Sequence, residues 1–137
     1  MIERLEMLSA VAIGNAAGPT IHGPWSGYHG LSGLVVEARF VYGADGTDVT
    51  AHLQTSLDGG DNWIDIMAFL FATTSLRSVM AVEHGLQATP VTPLTVGLAD
   101  NTTQNLIIGD RFRVSLTTVG NYTGTTTLTM NMLPKTG

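Results

Sequence analysis

The amino-acid sequence predicts an all-β chain: an antiparallel, jelly-roll-like β-sandwich of about seven to nine strands with long Gly/Pro-rich loops. Apolar and polar residues alternate with a period of two in four separate stretches, the spacing of half-buried strands. Gly, Asn and Asp cluster between those stretches, where tight turns need residues that tolerate positive φ. Composition agrees, with 16 glycines, 19 threonines and a hydrophobic share of 44%. A length of 137 residues suits a single domain with one core, spanning 1–137.

In chain order, Leu5 to Ile13 reads as a strand, so residues 1–13 form an edge strand or an arm. The glycine-rich stretch 14–33 reads as an extended loop. Leu34, Val36, Ala38, Phe40 and Tyr42 then share one strand face, with Glu37 and Arg39 on the other. After the turn Gly43-Ala44-Asp45-Gly46, Val49, Ala51, Leu53 and Thr55 alternate with Thr50, His52, Gln54 and Ser56. Trp63 to Phe71 is almost continuously apolar and fits a strand buried on both sides. Leu76 to Val82 fits a further strand or a short helical turn, and 85–105, with Pro90 and Pro93, an extended loop. Phe112, Val114 and Leu116 alternate with Arg111, Arg113, Ser115 and Thr117. The turn Gly120–Gly124 leads into Thr126, Leu128, Met130 and Met132, alternating with Thr125, Thr127, Thr129 and Asn131. Both flanking turns predict hairpins.

Charge and cysteine usage narrow the function. Charged residues make up 12% of the chain, net charge is −5, and Lys135 is the one lysine, so there is no basic surface for nucleic acid. With no cysteine, disulfides, thiolate nucleophiles and Cys-ligated zinc are excluded. Met1-Ile2-Glu3-Arg4-Leu5-Glu6 is a poor signal peptide, no run of 18 apolar residues could span a bilayer, and the chain reads as complete from Met1. No membrane partner is expected.

Catalytic patterns are missing as well. There is no Gly-x-Ser-x-Gly elbow and no phosphate-cradling loop ending in Lys-Ser or Lys-Thr. Glu37, Asp58 and Asp65 are carboxylates that nothing sets across a cleft, and Glu37 beside Arg39 reads as a solvated pair. His22, His29, His52 and His84 lack zinc spacing and read as surface or loop histidines. Asp45, Asp48, Asp58 and Asp61 match no EF-hand loop. The expectation is a protein without enzymatic activity, metal or cofactor.

Ser56-Leu57-Asp58-Gly59-Gly60-Asp61-Asn62-Trp63 fits Ser-x-Asp-x-Gly-x-x-Trp, the Asp-box. In the sialidase-like propellers that repeat it, the Asp-box is a structural hairpin turn. Ser56, Asp58, Gly60 and Trp63 are therefore expected to form a structural turn, with Asp58 accepting from turn amides and Trp63 packed beneath. Trp25, Tyr28 and Tyr122 occupy predicted loops and are candidates for stacking on a sugar or anchoring a protein interface; Trp25, beside Pro24 and Gly27, is also placed to pin its loop to the core.

The stretch Val49 to Phe71, around Gln54-Thr55-Ser56-Leu57-Asp58-Gly59-Gly60-Asp61-Asn62-Trp63-Ile64-Asp65-Ile66, resembles a segment of small virion proteins of tailed bacteriophages. Leu106-Ile107-Ile108-Gly109-Asp110-Arg111-Phe112-Arg113-Val114 resembles their next recurring piece, as does the ending Thr-Gly-Thr-Thr-Thr-Leu-Thr over 123–129. The resemblance implies a β-sandwich structural protein of the virion, assembled in the host cytoplasm. It implies first a capsid decoration (cement) protein that bridges subunits of the major capsid protein, and second a neck or tail ring component. A carbohydrate-binding module for host attachment is the third reading. A homo-oligomer is expected, a trimer by preference, with Arg39, Arg111 and Arg113 as candidate partners for acidic capsid patches alongside Trp25, Tyr28 and Tyr122. The stretches 14–33 and 85–105 are the candidate arms.

Overall fold

Alternation is realised most completely around Phe40. Leu34, Val36, Ala38 and Phe40 are all buried while Val35, Arg39 and Val41 face water, because successive side chains of a strand leave on opposite faces. In the computed structural model, which describes residues 3–136, they belong to β3 (Leu31–Val41). The remaining strands are β1 (Leu5–Ala12), β2 (Ala17–Trp25), β4 (Ala44–Asp45), β5 (Asp48–Ser56), β6 (Ile64–Phe71), β7 (Leu76–Glu83), β8 (Thr102–Thr103), β9 (Arg111–Val119), β10 (Tyr122–Thr123) and β11 (Thr127–Thr136). Among the described residues there is no helix. Of the expected N-terminal element over 1–13, residues 1 and 2 lie outside the described residues; the rest supplies β1, an edge strand on the chain's own β11.

Two antiparallel sheets form the sandwich, one ordered β1-β11-β3-β7 and the other β2-β9-β5-β6-β8. Their inner faces build one apolar core. Phe40 of the first sheet stacks on Phe71 of the second with centroids 5.2 Å apart, and within the first sheet Leu128 lies opposite Phe40, Met130 opposite Ala38 and Met132 opposite Val36. Stacked aromatics and burial of this kind supply the main driving force of folding.

The two turns expected to close hairpins do something else. Gly43–Gly46 carries the chain from β3 in one sheet to β5 in the other, and Gly120–Gly124 returns it from β9 to β11. The strands flanking each turn do not pair; β3 pairs with β11, and β5 with β9. The turns instead pair with each other through β4 and β10, Tyr122 opposite Asp45 and Thr123 opposite Ala44. Residues at positive φ permit a sharp reversal, here Asp45 at 58° and Gly46 at 76°. Such chemistry cannot say whether the reversed strand stays in its own sheet. Tyr122 is the peg of this corner: its ring meets Phe40 and Tyr42 edge-on, and its hydroxyl donates to the Ala72 carbonyl at 2.8 Å.

β2 departs from the loop expected over 14–33. It pairs with β9, Thr20 opposite Leu116 and His22 opposite Val114. It is an edge strand, so Pro19 and Pro24 can occupy it without removing a donor that a central ladder would need. Most of its residues are exposed, which leaves no alternation to read. Leu76–Glu83 resolves as a strand. Within 85–105, the part from Leu94 onward is laid along β6, with Asp65, Asn101 and Gln104 N–H groups donating to the Leu94, Ala68 and Ile66 carbonyls at 2.8, 2.8 and 2.9 Å.

Candidate functional site

The most ordered polar chemistry lies at the end of the sandwich where β5 turns into β6. Ser56 Oγ accepts from the Gly60 N–H at 2.9 Å and donates to Asp58 Oδ1 at 2.9 Å. Asp58 in turn accepts from the Asn62 N–H at 2.9 Å and from Asn62 Nδ2 at 2.7 Å. Gly59 and Gly60, at φ 79° and 96°, make the bend. Trp63 closes it from below, its Nε1 donating to the Gly60 carbonyl at 3.0 Å. The donors on Asn62 and the Ser56 hydroxyl hold the Asp58 carboxyl down at about 2.

The chain segment after Ile108 docks on this turn. Gly109 N–H donates to Thr55 Oγ1, which itself donates to the Arg111 carbonyl, both at 2.9 Å. A Cβ on Gly109 would run into the Ser56 carbonyl, so only glycine allows the approach. Arg111 reaches back and donates from Nη1 to the Gly59 carbonyl at 2.9 Å. Two of the three stretches that carry the virion-protein resemblance, 49–71 and 106–114, are thus neighbours in space.

Behind the turn runs a polar relay from half-buried Arg113 to the buried Gln54 and Asp65. Arg113 Nε donates to Gln54 Oε1 at 2.7 Å, and its guanidinium lies 4.5 Å from the centre of the Trp63 ring. Gln54 Nε2 donates to Asp65 Oδ1 at 2.8 Å. Asp65 is 1% exposed, and its carboxylate accepts the N–H groups of Val96, Gly97 and Leu98 at 2.9, 2.8 and 3.0 Å. Burial lowers the pKa of Arg113, and the charge of Asp65 works in the opposite direction. Each charged group here is answered inside the fold, so the arrangement works as a clasp: Asp65 straps the 94–98 segment to β6.

Among the candidate contact residues, Arg39 stands exposed on the outer face of β3. Arg111 and Arg113 are engaged in the contacts just described. Trp25 and Tyr28 are half-buried against the core, Tyr28 edge-on to Phe112 with centroids 5.7 Å apart, and burial raises its phenol pKa. Tyr122, read as an exposed loop aromatic, is buried in the corner; burial, then Asp48 and Tyr42, raise its pKa, and no face is left for a sugar. His52 corrects the surface-histidine reading, being 5% exposed. It sits mid-strand between β6 and β9, opposite Ala68 and Ser115, where sheet neighbours cover even the polar face. Glu37 pairs with Arg77 at 2.6 Å, not with Arg39. Arg39 and Arg77 are direct cross-strand neighbours, and Glu37 lies one diagonal step from Arg77.

Sequence reading missed the Asp65 clasp and the apolar residues the fold leaves in water. Leu86 is 95% and Leu57 64% exposed, and Leu57, Pro90, Val91, Pro93 and Ile107 line an open groove of about 460 Å³ beside the Asp-box turn. On the turn's other flank, Tyr28, His29, His84 and Asp110 help line an open groove of about 610 Å³. Among the described residues, no group of three or more His, Asp or Glu is placed to hold a metal ion. Set against known protein families, curated proteins and solved structures, the chain finds no match.

Proposed function

We propose that the chain is a structural, non-enzymatic subunit of a tailed-phage virion: a head decoration protein, assembled with the particle in the host cytoplasm, that bridges subunits of the major capsid protein. The observation that carries this reading is the apolar end of the molecule, where Leu57, Leu86 and the prolines of the 85–93 stretch stand exposed beside the internally bonded Asp-box turn and the Asp65 clasp. Concentrated apolar surface on a rigid body marks a protein contact. Bridging would stabilise the shell by mass action, since the chain binds the assembled lattice and not its separated subunits. Repeated contacts over a shell would add by avidity. The virion-protein resemblance of 49–71, 106–114 and 123–129 supplies the kind of partner.

Heads prepared without the chain are expected to open at lower temperature, and sooner as salt is lowered, than heads to which the purified protein has been added back. Leu86→Asp is expected to weaken attachment to heads by about tenfold or more, the scale of one buried leucine, with an unchanged melting temperature for the free protein. Equal stability of bare and decorated heads, or recovery of the protein with tails instead of heads, overturns the proposal.

A further inference from the structure

The two sheets expose four outer strands, and three of them are blunted against pairing. β1 is broken by two register shifts and places Ala10 at φ 44°. β2 has two shifts of its own and carries Pro19 and Pro24. β8 is two residues long. β7 is different: eight residues without proline, in unbroken register with β3 from Leu76 opposite Phe40 to Glu83 opposite Gly33. Among the described residues it pairs with no other strand. Folded proteins protect such edges, because a regular row of free N–H and C=O groups is a template for another strand.

The direction of those groups follows from their neighbours. Glu83 N–H donates to Asn105 Oδ1 at 2.8 Å and its carbonyl accepts the Leu106 N–H at 2.9 Å, so Glu83 turns its backbone away from β3. Alternation along an antiparallel ladder turns Arg77, Val79 and Ala81 the same way. These three residues are exposed, Val79 by 55%, and the 105–106 segment covers the edge only at Glu83.

We propose that β7 pairs antiparallel with β7 of a second copy of this chain, about a two-fold axis at Val79. Arg77 then lies opposite the partner's Ala81 and Val79 opposite the partner's Val79, forming roughly six hydrogen bonds in three exchanging pairs. The occupant is argued from charge. Arg77 and Glu83 sit near opposite ends of the strand and project from the same face, so antiparallel pairing brings each Arg77 within a diagonal step of the partner's Glu83. Glu83 has no ion-pair partner among the described side chains, and Arg77, already on Glu37, gains a second carboxylate. An edge that complements itself closes on a two-fold axis. A three-fold ring would require β7 to add to a different edge, and β1 and β2 are bulged. The proposed pairing does not depend on what the chain attaches to, and it predicts a dimer where the sequence favours a trimer.

Sedimentation equilibrium over a concentration series tests it. The expected mass is twice the 14.5 kDa of one chain. Val79→Pro removes an outward N–H without touching the β3 ladder, and Glu83→Arg sets like charges against the partner's Arg77; each is expected to raise the dimer dissociation constant about tenfold or more. Should Val79→Pro fail to fold, as judged by its melting transition, Glu83→Arg decides alone. A monomer throughout, a trimer, or variants that dimerise as tightly as the parent overturns the proposal.

Discussion

Asp58 shows how one side chain sets a local structure. Its carboxylate takes the Asn62 N–H and amide and the Ser56 hydroxyl, all of which favour the charged form. The folded pKa, about 2, lies below the ordinary carboxylate value, so between the two the unfolded chain binds more protons than the folded one. Stability from this group is therefore complete above roughly pH 4 and is lost as pH falls toward 2. Thermal unfolding across that range is expected to show a slope that Asp58→Asn flattens. An identical slope in the variant would mean that the acid sensitivity comes from other carboxylates.

At the scale of elements, the segment 94–98 has few apolar anchors and is held by Asp65 instead. Asp65→Ala would leave the N–H groups of Val96, Gly97 and Leu98 and the Gln54 amide without their acceptor. The expected cost is about 3 kcal/mol in urea unfolding, with faster amide exchange concentrated at 96–98. Unchanged exchange there would show that the backbone bond from Asp65 N–H to the Leu94 carbonyl and the Thr95 hydroxyl on the Trp63 carbonyl hold the segment by themselves.

For the whole molecule, the sparse charge sets how attachment should respond to salt. Charged residues are 12% of the chain, and Arg111 and Arg113 are turned inward onto Gly59 and Gln54. On the proposed function, attachment to heads through the Leu57 and Leu86 end is expected to fall by less than about threefold between roughly 0.1 and 0.5 M salt, because apolar contacts are not screened. A steep decline in a salt titration would shift the contact to charged faces such as that of Arg39.

What the sequence determined by itself is local. Period-two alternation shows which faces of β3, β5, β9 and β11 turn inward, because a strand's side-chain direction is a property of its own backbone. The Ser56–Trp63 turn is legible for the same reason: its bonds close within eight residues. Which strands pair was decided only in three dimensions, where the Gly43–Gly46 and Gly120–Gly124 turns became corners stapled to each other. Burial of His52 belongs to the same class, since flanking strands and not its own alternation remove it from water. So does the clasp, which spans the 31 positions between Asp65 and Val96. Local chemistry sets how a strand presents itself; long-range packing, through the core it shares with distant strands, sets where it lies and what it leaves exposed.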